Sequence, residues 1–149
     1  MSFDKAMFFA ARGHLGQRDK GGHAYILHVM RVAMRLRTAD EELMSMAVMH
    51  DLVEDGHITF QELVEAGFSD RVINGLRCLT HQAGDTYEEY IEKMRGNLDA
   101  LLVKREDLRD NSDITRLKGL RQKDFERMEK YIRAFAKVEE MIKEFKAGG

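Results

Sequence analysis

Apolar residues recur along most of this chain at spacings of three and four, the period of a helix with one buried face. The clearest case is Phe125, Met128, Ile132, Phe135, Val138 and Ile142, set among charged residues. A shorter stripe is formed by Val32, Ala33 and Leu36, and Leu43 to Met49 form an almost unbroken apolar run. The pattern predicts helices over 2–14, 25–37, 39–53, 60–66, 70–80, 87–95, 98–110 and 122–146. Proline is absent, as are long β-branched runs, and both facts favour helices over a sheet. Thr38 with Glu41, Thr59 with Glu62 and Thr86 with Glu89 each fit a capping box, in which hydroxyl and carboxylate satisfy donors left orphaned by the first turn. Glycines 16, 21 and 22 mark residues 15–24 as a loop, and Asp55, Gly56 and His57 mark 54–59 as another. Residues 146–149 are expected to fray. The expected fold is all-α, a single-domain helical bundle spanning residues 1–149.

Composition narrows the class without changing this picture. The 149 residues suffice for one core, and 44% hydrophobic with 34% charged residues is ordinary for a soluble domain. No apolar run approaches the roughly 18 residues a membrane span needs, and the N-terminal stretch, with Asp4 and no small-residue cleavage pattern, reads as helix and not as a signal peptide. A net charge of -2 provides no overall basic field for nucleic acid. The lone Cys78 cannot form an internal disulfide, which suits a reducing cytoplasm. The expectation is therefore a cytoplasmic protein with no membrane or nucleic-acid partner, and oligomerisation is left open.

The sharpest chemical signal is His50-Asp51-Leu52-Val53-Glu54-Asp55, directly after the apolar run 43–49. Several carboxylates and an imidazole at the end of a core helix are costly unless something compensates them, and a divalent cation would do so. Glu54 and Asp55 follow His50 and Asp51 by four residues, so a persisting helix would put them one turn beyond the ligands, beside a metal-adjacent water. Alone, a His-Asp pair is usually solvated helix surface. Two further elements strengthen it: His28 on a helix whose other face is apolar, and Lys104-Arg105-Glu106-Asp107-Leu108-Arg109-Asp110-Asn111, polar directly after a buried-looking run.

In order and wording, His28 … His50-Asp51 … Asp107 resembles the metal set of the HD superfamily of phosphohydrolases. The stretches Ala11-Arg12-Gly13-His14-Leu15-Gly16-Gln17-Arg18-Asp19-Lys20, Tyr25-Ile26-Leu27-His28 and His50 to Asp55 are similar to the hydrolase domain of RelA/SpoT-type alarmone enzymes and their small stand-alone relatives. Lys104, Asp107 and Asn111 match that family's K-x-x-D-x-x-x-N element. The resemblance spans roughly residues 3–135. It implies an HD-type bundle in which His28, His50, Asp51 and Asp107 hold one divalent ion of the Mn²⁺ kind. It also implies that Glu54 and Asp55 activate the attacking water, and that Arg18, Lys20, Lys104 and Asn111 meet the phosphorylated nucleotide. The mixed nitrogen and oxygen set itself suits Mn²⁺, Fe²⁺, Co²⁺ or Zn²⁺ better than Ca²⁺. The implied reaction removes the 3′-pyrophosphate of guanosine tetra- or pentaphosphate, leaving GDP or GTP. Two departures stand out: Val29 where the family has proline, and Arg105-Glu106 where it has an apolar pair. No synthetase domain is present, so alarmone synthesis is not implied.

The remaining residues have plainer readings. His14 is read as a hydrogen-bonding support to the site, His23 and His57 as solvated, His81 without function, and Cys78 and the methionines as core packing. Arg116, Lys118, Arg121, Lys123 and Arg127 are balanced by nearby acids and read first as a solvated helix face, with anion binding by Arg116 second. Competing functions are an HD phosphohydrolase acting on another nucleotide, a nucleotide binder without turnover, and a helical partner protein. The extra histidines of two-metal cyclic-dinucleotide enzymes are missing. Glu54 and Asp55 argue against a mere binder, and the ordered ligand set argues against a mere scaffold.

Overall fold

The computed structural model describes residues 3–148; Ser2, where the first helix was expected to begin, and Gly149, at the end of the expected frayed tail, lie outside them. Among the described residues the secondary structure is eight α-helices and one 3₁₀ turn: α1 (Phe3–Gly13), α2 (Ile26–Arg35), α3 (Glu41–Met49), α4 (Phe60–Glu65), α5 (Asp70–Leu79), α6 (Tyr87–Glu92), α7 (Leu98–Asn111), the 3₁₀ turn (Ile114–Arg116) and α8 (Gln122–Gly148). The all-α expectation therefore holds, and every expected helix is present. Among the described residues the one strand-like feature is an isolated bridge between Arg18 and Ala24 inside the 15–24 loop.

Helix α3 is the centre of the bundle. Leu43, Ser45, Met46, Ala47, Val48 and Met49 are all buried, as befits a helix apolar nearly all round. It packs against α1, α2, α5 and α7, while α7 also packs on α2 and α8. Gly75 of α5 lets that helix approach closely, because a Cβ there would meet Met46 Sδ at 2.4 Å. Surrounding the end of α3 with other helices fixes the direction of whatever side chains follow Met49.

The caps explain where the elements begin. Thr59 with Glu62 and Thr86 with Glu89 form the expected capping boxes. Thr38 with Glu41 does not. Asp40 is the cap of α3, accepting from the backbone N–H groups of Glu42 and Leu43, while the Thr38 hydroxyl accepts from Asp40 N. Glu41 instead accepts from Phe3 N. A carboxylate adjacent to the first helical residue reaches two donors at once, so it outcompetes a hydroxyl two residues farther out.

Helix α3 also stops sooner than expected. It ends at Met49 and residues 50–55 continue as turns, closed by Gly56 at φ 78°. In α8 the buried stripe is Ala134, Val138, Met141 and Ile142. Phe125 and Ile132, expected on that face, are 56% and 62% exposed. The helix is about 40 Å long at 1.5 Å per residue, and only its second half rests fully on the bundle. Lys146 to Gly148, expected to fray, are helical. Among the described residues no helix is long and apolar enough to cross a membrane.

Candidate metal and phosphohydrolase site

Four side chains separated by as many as 79 residues converge at the end of α3. His28 comes from the first turn of α2, His50 and Asp51 directly follow α3, and Asp107 lies in α7. Asp107 Oδ1 lies 3.0 Å from His28 Nε2 and 3.2 Å from His50 Nε2. Asp51 Oδ2 lies 3.1 Å from His50 Nε2 and 3.8 Å from His28 Nε2. Adjacent ligands of an octahedral ion with bonds near 2.1 Å are separated by about 3.0 Å, and three of these four separations are close to that. His50 Nδ1 donates to Ala47 O at 2.6 Å, which leaves Nε2 to face inward. The donor set and its spacing fit a first-row divalent ion.

The electrostatics fit as well. Burial works against a charged imidazole at His50, but the carboxylates of Asp51 and Asp107 outweigh it and hold its pKa well above the ordinary value. His28 is raised in the same contest, with Asp107 and Asp110 prevailing over burial. Burial would raise Asp107, yet Lys104 and His50 hold it well below the ordinary carboxylate range. The two buried carboxylates thus favour positive charge at this point, which a cation would supply.

The expected water-activating pair is divided by the fold. Glu54 lines the open cavity that also exposes Asp51, Asp107 and Lys104, and its Oε1 accepts from the backbone N–H of His81 at 2.7 Å. Partial desolvation raises its pKa, with the His81 N–H opposing and Asp51 reinforcing the rise. Asp55 turns to another cluster, where its Oδ2 accepts from Gln17 Nε2 at 3.1 Å. Gln17 Oε1 accepts from His14 Nδ1 and His57 Nε2. His14 is buried as expected of a supporting residue, and His57 is a hydrogen-bonded member of that cluster, not merely solvated.

Lys104 and Asn111 both touch Asp107. Lys104 Nζ donates to Asp107 Oδ2 at 2.8 Å and lies over the Tyr90 ring, while Asn111 Nδ2 donates to Asp107 Oδ1 at 3.1 Å. Arg18 and Lys20 border a second cavity of about 270 Å³, together with Tyr25, Asn111, Arg127 and Tyr131. Tyr25, Asn111 and Tyr131 line both cavities, so the two adjoin across these side chains. Desolvation and the neighbouring charges of Arg127 and Lys130 lower the pKa of Lys20, so three cations share this region. The Arg105-Glu106 pair leaves the site alone, because Arg105 and Arg109 neutralise Glu106 on the side facing α8.

Sequence reasoning missed several participants. Tyr25 donates to Asp51 Oδ2 at 2.5 Å, Asp110 accepts from His28, and His81 holds Glu54 through its backbone. Arg127, Lys130 and Tyr131 arrive from α8, 76 to 81 residues from the His-Asp pair, and no local signal links them to it. Arg116, read as solvated surface or an anion contact, is bonded to Asp19 and Asp110.

No family model matches this chain. In sequence it is similar to a guanosine-3′,5′-bis(diphosphate) 3′-pyrophosphohydrolase of Aquifex aeolicus (strain VF5), 37% identical over 70 residues, covering 46% of this chain and 10% of that protein. It is also similar to a probable enzyme of the same name from Synechocystis sp. (strain ATCC 27184 / PCC 6803 / Kazusa), 38% identical over 68 residues, covering 44% of this chain and 9% of that one. The chain thus spans about a tenth of the length of these curated relatives. Its fold matches the solved structure of a metazoan ortholog of SpoT described as hydrolysing ppGpp, with a TM-score of 0.74 and 24% identity over 96% of this chain and 92% of that one.

Proposed function

We propose that this chain is an HD-type phosphohydrolase that uses one divalent ion, Mn²⁺ by preference, to remove the 3′-pyrophosphate from guanosine tetra- or pentaphosphate. The observation that carries the reading is the convergence of His28, His50, Asp51 and Asp107 on one point, beside a cavity lined by Glu54. Sequence similarity to named pyrophosphohydrolases and a shared fold with a ppGpp-hydrolysing protein support the substrate class.

In this reading the four ligands hold the ion, which when bound supplies Lewis-acid polarisation of a phosphoryl oxygen. Glu54, raised in pKa and fixed by the His81 N–H, takes the proton of the attacking water. Asp55, turned toward Gln17, contributes only its negative charge near Glu54. Water adds to the phosphorus attached to the 3′ oxygen, that P–O bond breaks, and the departing oxygen regains the proton that water lost, giving pyrophosphate and a 3′-hydroxyl. Arg18 and Lys20, with Arg127 and Lys130, offset the phosphate charge that the ligand carboxylates would otherwise repel. Lys104 and Asn111 steady Asp107 from the cavity wall, on the side where the pyrophosphoryl group passed to water would be held.

The test is incubation of the purified protein with Mn²⁺ and a nucleotide panel, measuring pyrophosphate and phosphate separately. Pyrophosphate from ppGpp, lost with the metal in His50→Ala and Asp51→Ala, is the expected result. Phosphate from simple monophosphates with ppGpp left intact overturns the substrate and leaves another HD phosphohydrolase. Tight ppGpp binding with no product overturns turnover and leaves a binder.

A further inference from the structure

Asp110 lies three residues beyond Asp107 on α7, and its side chain is wholly buried. Its Oδ2 accepts from His28 Nδ1 at 2.7 Å, and its Oδ1 accepts from Arg31 Nε at 2.7 Å. Arg31 Nη2 and Arg116 Nη1 close on Oδ2 at 3.2 and 2.8 Å, and Arg35 stands 3.5 Å from Oδ1. A buried carboxylate needs compensation of this kind, but packing alone would be served as well by an apolar residue. What an apolar residue could not do is accept the Nδ1 proton of His28. With that proton committed to Asp110, the opposite nitrogen, Nε2, is the one that can offer a lone pair, and it faces Asp107 Oδ1 and Asp51 Oδ2.

The same anion reaches the other half of the site. Arg116 Nη1 also donates to the backbone carbonyl of Asp110, and Nη2 donates to Asp19 Oδ2 at 2.7 Å. Asp19 Oδ1 in turn accepts from the backbone N–H groups of Gly21 and His23. This closes the turn that carries Arg18 and Lys20. Gly21 sits so close that a Cβ there would lie 2.2 Å from Arg116 O, so loop and 3₁₀ turn are in direct backbone contact.

We propose that Asp110 is a positioning residue for both halves of the site: it fixes His28 with Nε2 toward the ion, and through Arg116 and Asp19 it seats the loop presenting Arg18 and Lys20. This rests on the metal reading above. Asp110→Asn keeps the shape, but loses the charge that holds three arginines and sets an amide nitrogen where an acceptor is required.

The experiment compares wild type, Asp110→Asn and Arg116→Gln in full-length protein by Mn²⁺ titration calorimetry and by backbone hydrogen exchange. Asp110→Asn is expected to bind Mn²⁺ roughly 10- to 100-fold more weakly and to exchange faster at residues 17–25. Arg116→Gln should show the faster loop exchange while keeping Mn²⁺ affinity within about threefold, since it touches no ligand. Should Asp110→Asn fail to fold, the ring nitrogen NMR signals of His28 in Zn²⁺-loaded wild type decide the first half: a proton on Nδ1 supports it, and a proton on Nε2 overturns it. Equal Mn²⁺ affinity in wild type and Asp110→Asn overturns the inference alone, as does unchanged loop exchange in both variants. A wild type that binds no Mn²⁺ overturns the metal reading and this inference together.

Discussion

Lys104→Met tests whether the buried cation beside the ligand set is structural and whether a metal can replace it. Lys104 is 7% exposed and Asp107 4%, and their charged atoms are 2.8 Å apart. At an effective dielectric near 20, two unit charges at that distance attract by about 6 kcal/mol before desolvation is counted. Breaking a buried pair costs about 3–5 kcal/mol net, and methionine recovers part of this because its side chain suits the space between Tyr87 and Tyr90. A loss of about 3 kcal/mol is therefore expected in metal-free protein, a fall in Tm of about 6–12 °C for a chain of this size. The variant should regain stability when Mn²⁺ is added. Removing a cation beside a ligand carboxylate tightens the ion, and each tenfold gain in affinity returns about 1.4 kcal/mol at saturating metal. Urea unfolding of both proteins, with chelator and with excess Mn²⁺, measures the two gaps. A metal-free gap under about 1 kcal/mol, or a gap of the same size in both conditions, refutes the reasoning.

Three further outcomes follow from the structure. Glu54→Gln should keep Mn²⁺ bound, as read by calorimetry, while turnover falls roughly 10²–10⁴-fold; full turnover would remove Glu54 as the base. Thr59→Ala should lower stability by about 1 kcal/mol without affecting metal, because it deletes one capping-box acceptor at α4, and equal urea midpoints would refute this. The Arg71 guanidinium holds Asp40 below its ordinary value of 3.8, so the stabilisation is complete above that value and is lost as pH falls through the depressed pKa. Wild type and Arg71→Met should therefore differ most in urea midpoint near neutrality and converge on acidification below pH 3.8; a gap that widens toward acid would refute the assignment.

Helix number and order were legible along the chain because periodicity and capping are local. Eight apolar stretches, two of three capping boxes and the missing proline depend on neighbours within four residues, and these determined the all-α fold without reference to any contact. The candidate ligand set was suggested by a different kind of signal: His50-Asp51 follows an apolar run, and the order His28, His50-Asp51, Asp107 resembles the HD pattern. Tertiary structure decided the rest. The folded chain ends α3 at Met49, and the turn that follows sends Glu54 to the cavity beside Asp51 and Asp107 and Asp55 to Gln17. Only the placement of α7 against α2 brought Asp110 to the far side of the His28 ring. Only the lie of α8 across α7 brought Arg127, Lys130 and Tyr131 to the basic cavity and turned Phe125 and Ile132 outward. In each case the partners are tens of residues apart, and a charge or ring declares its role by what faces it across a helix interface, which the linear order of residues does not encode.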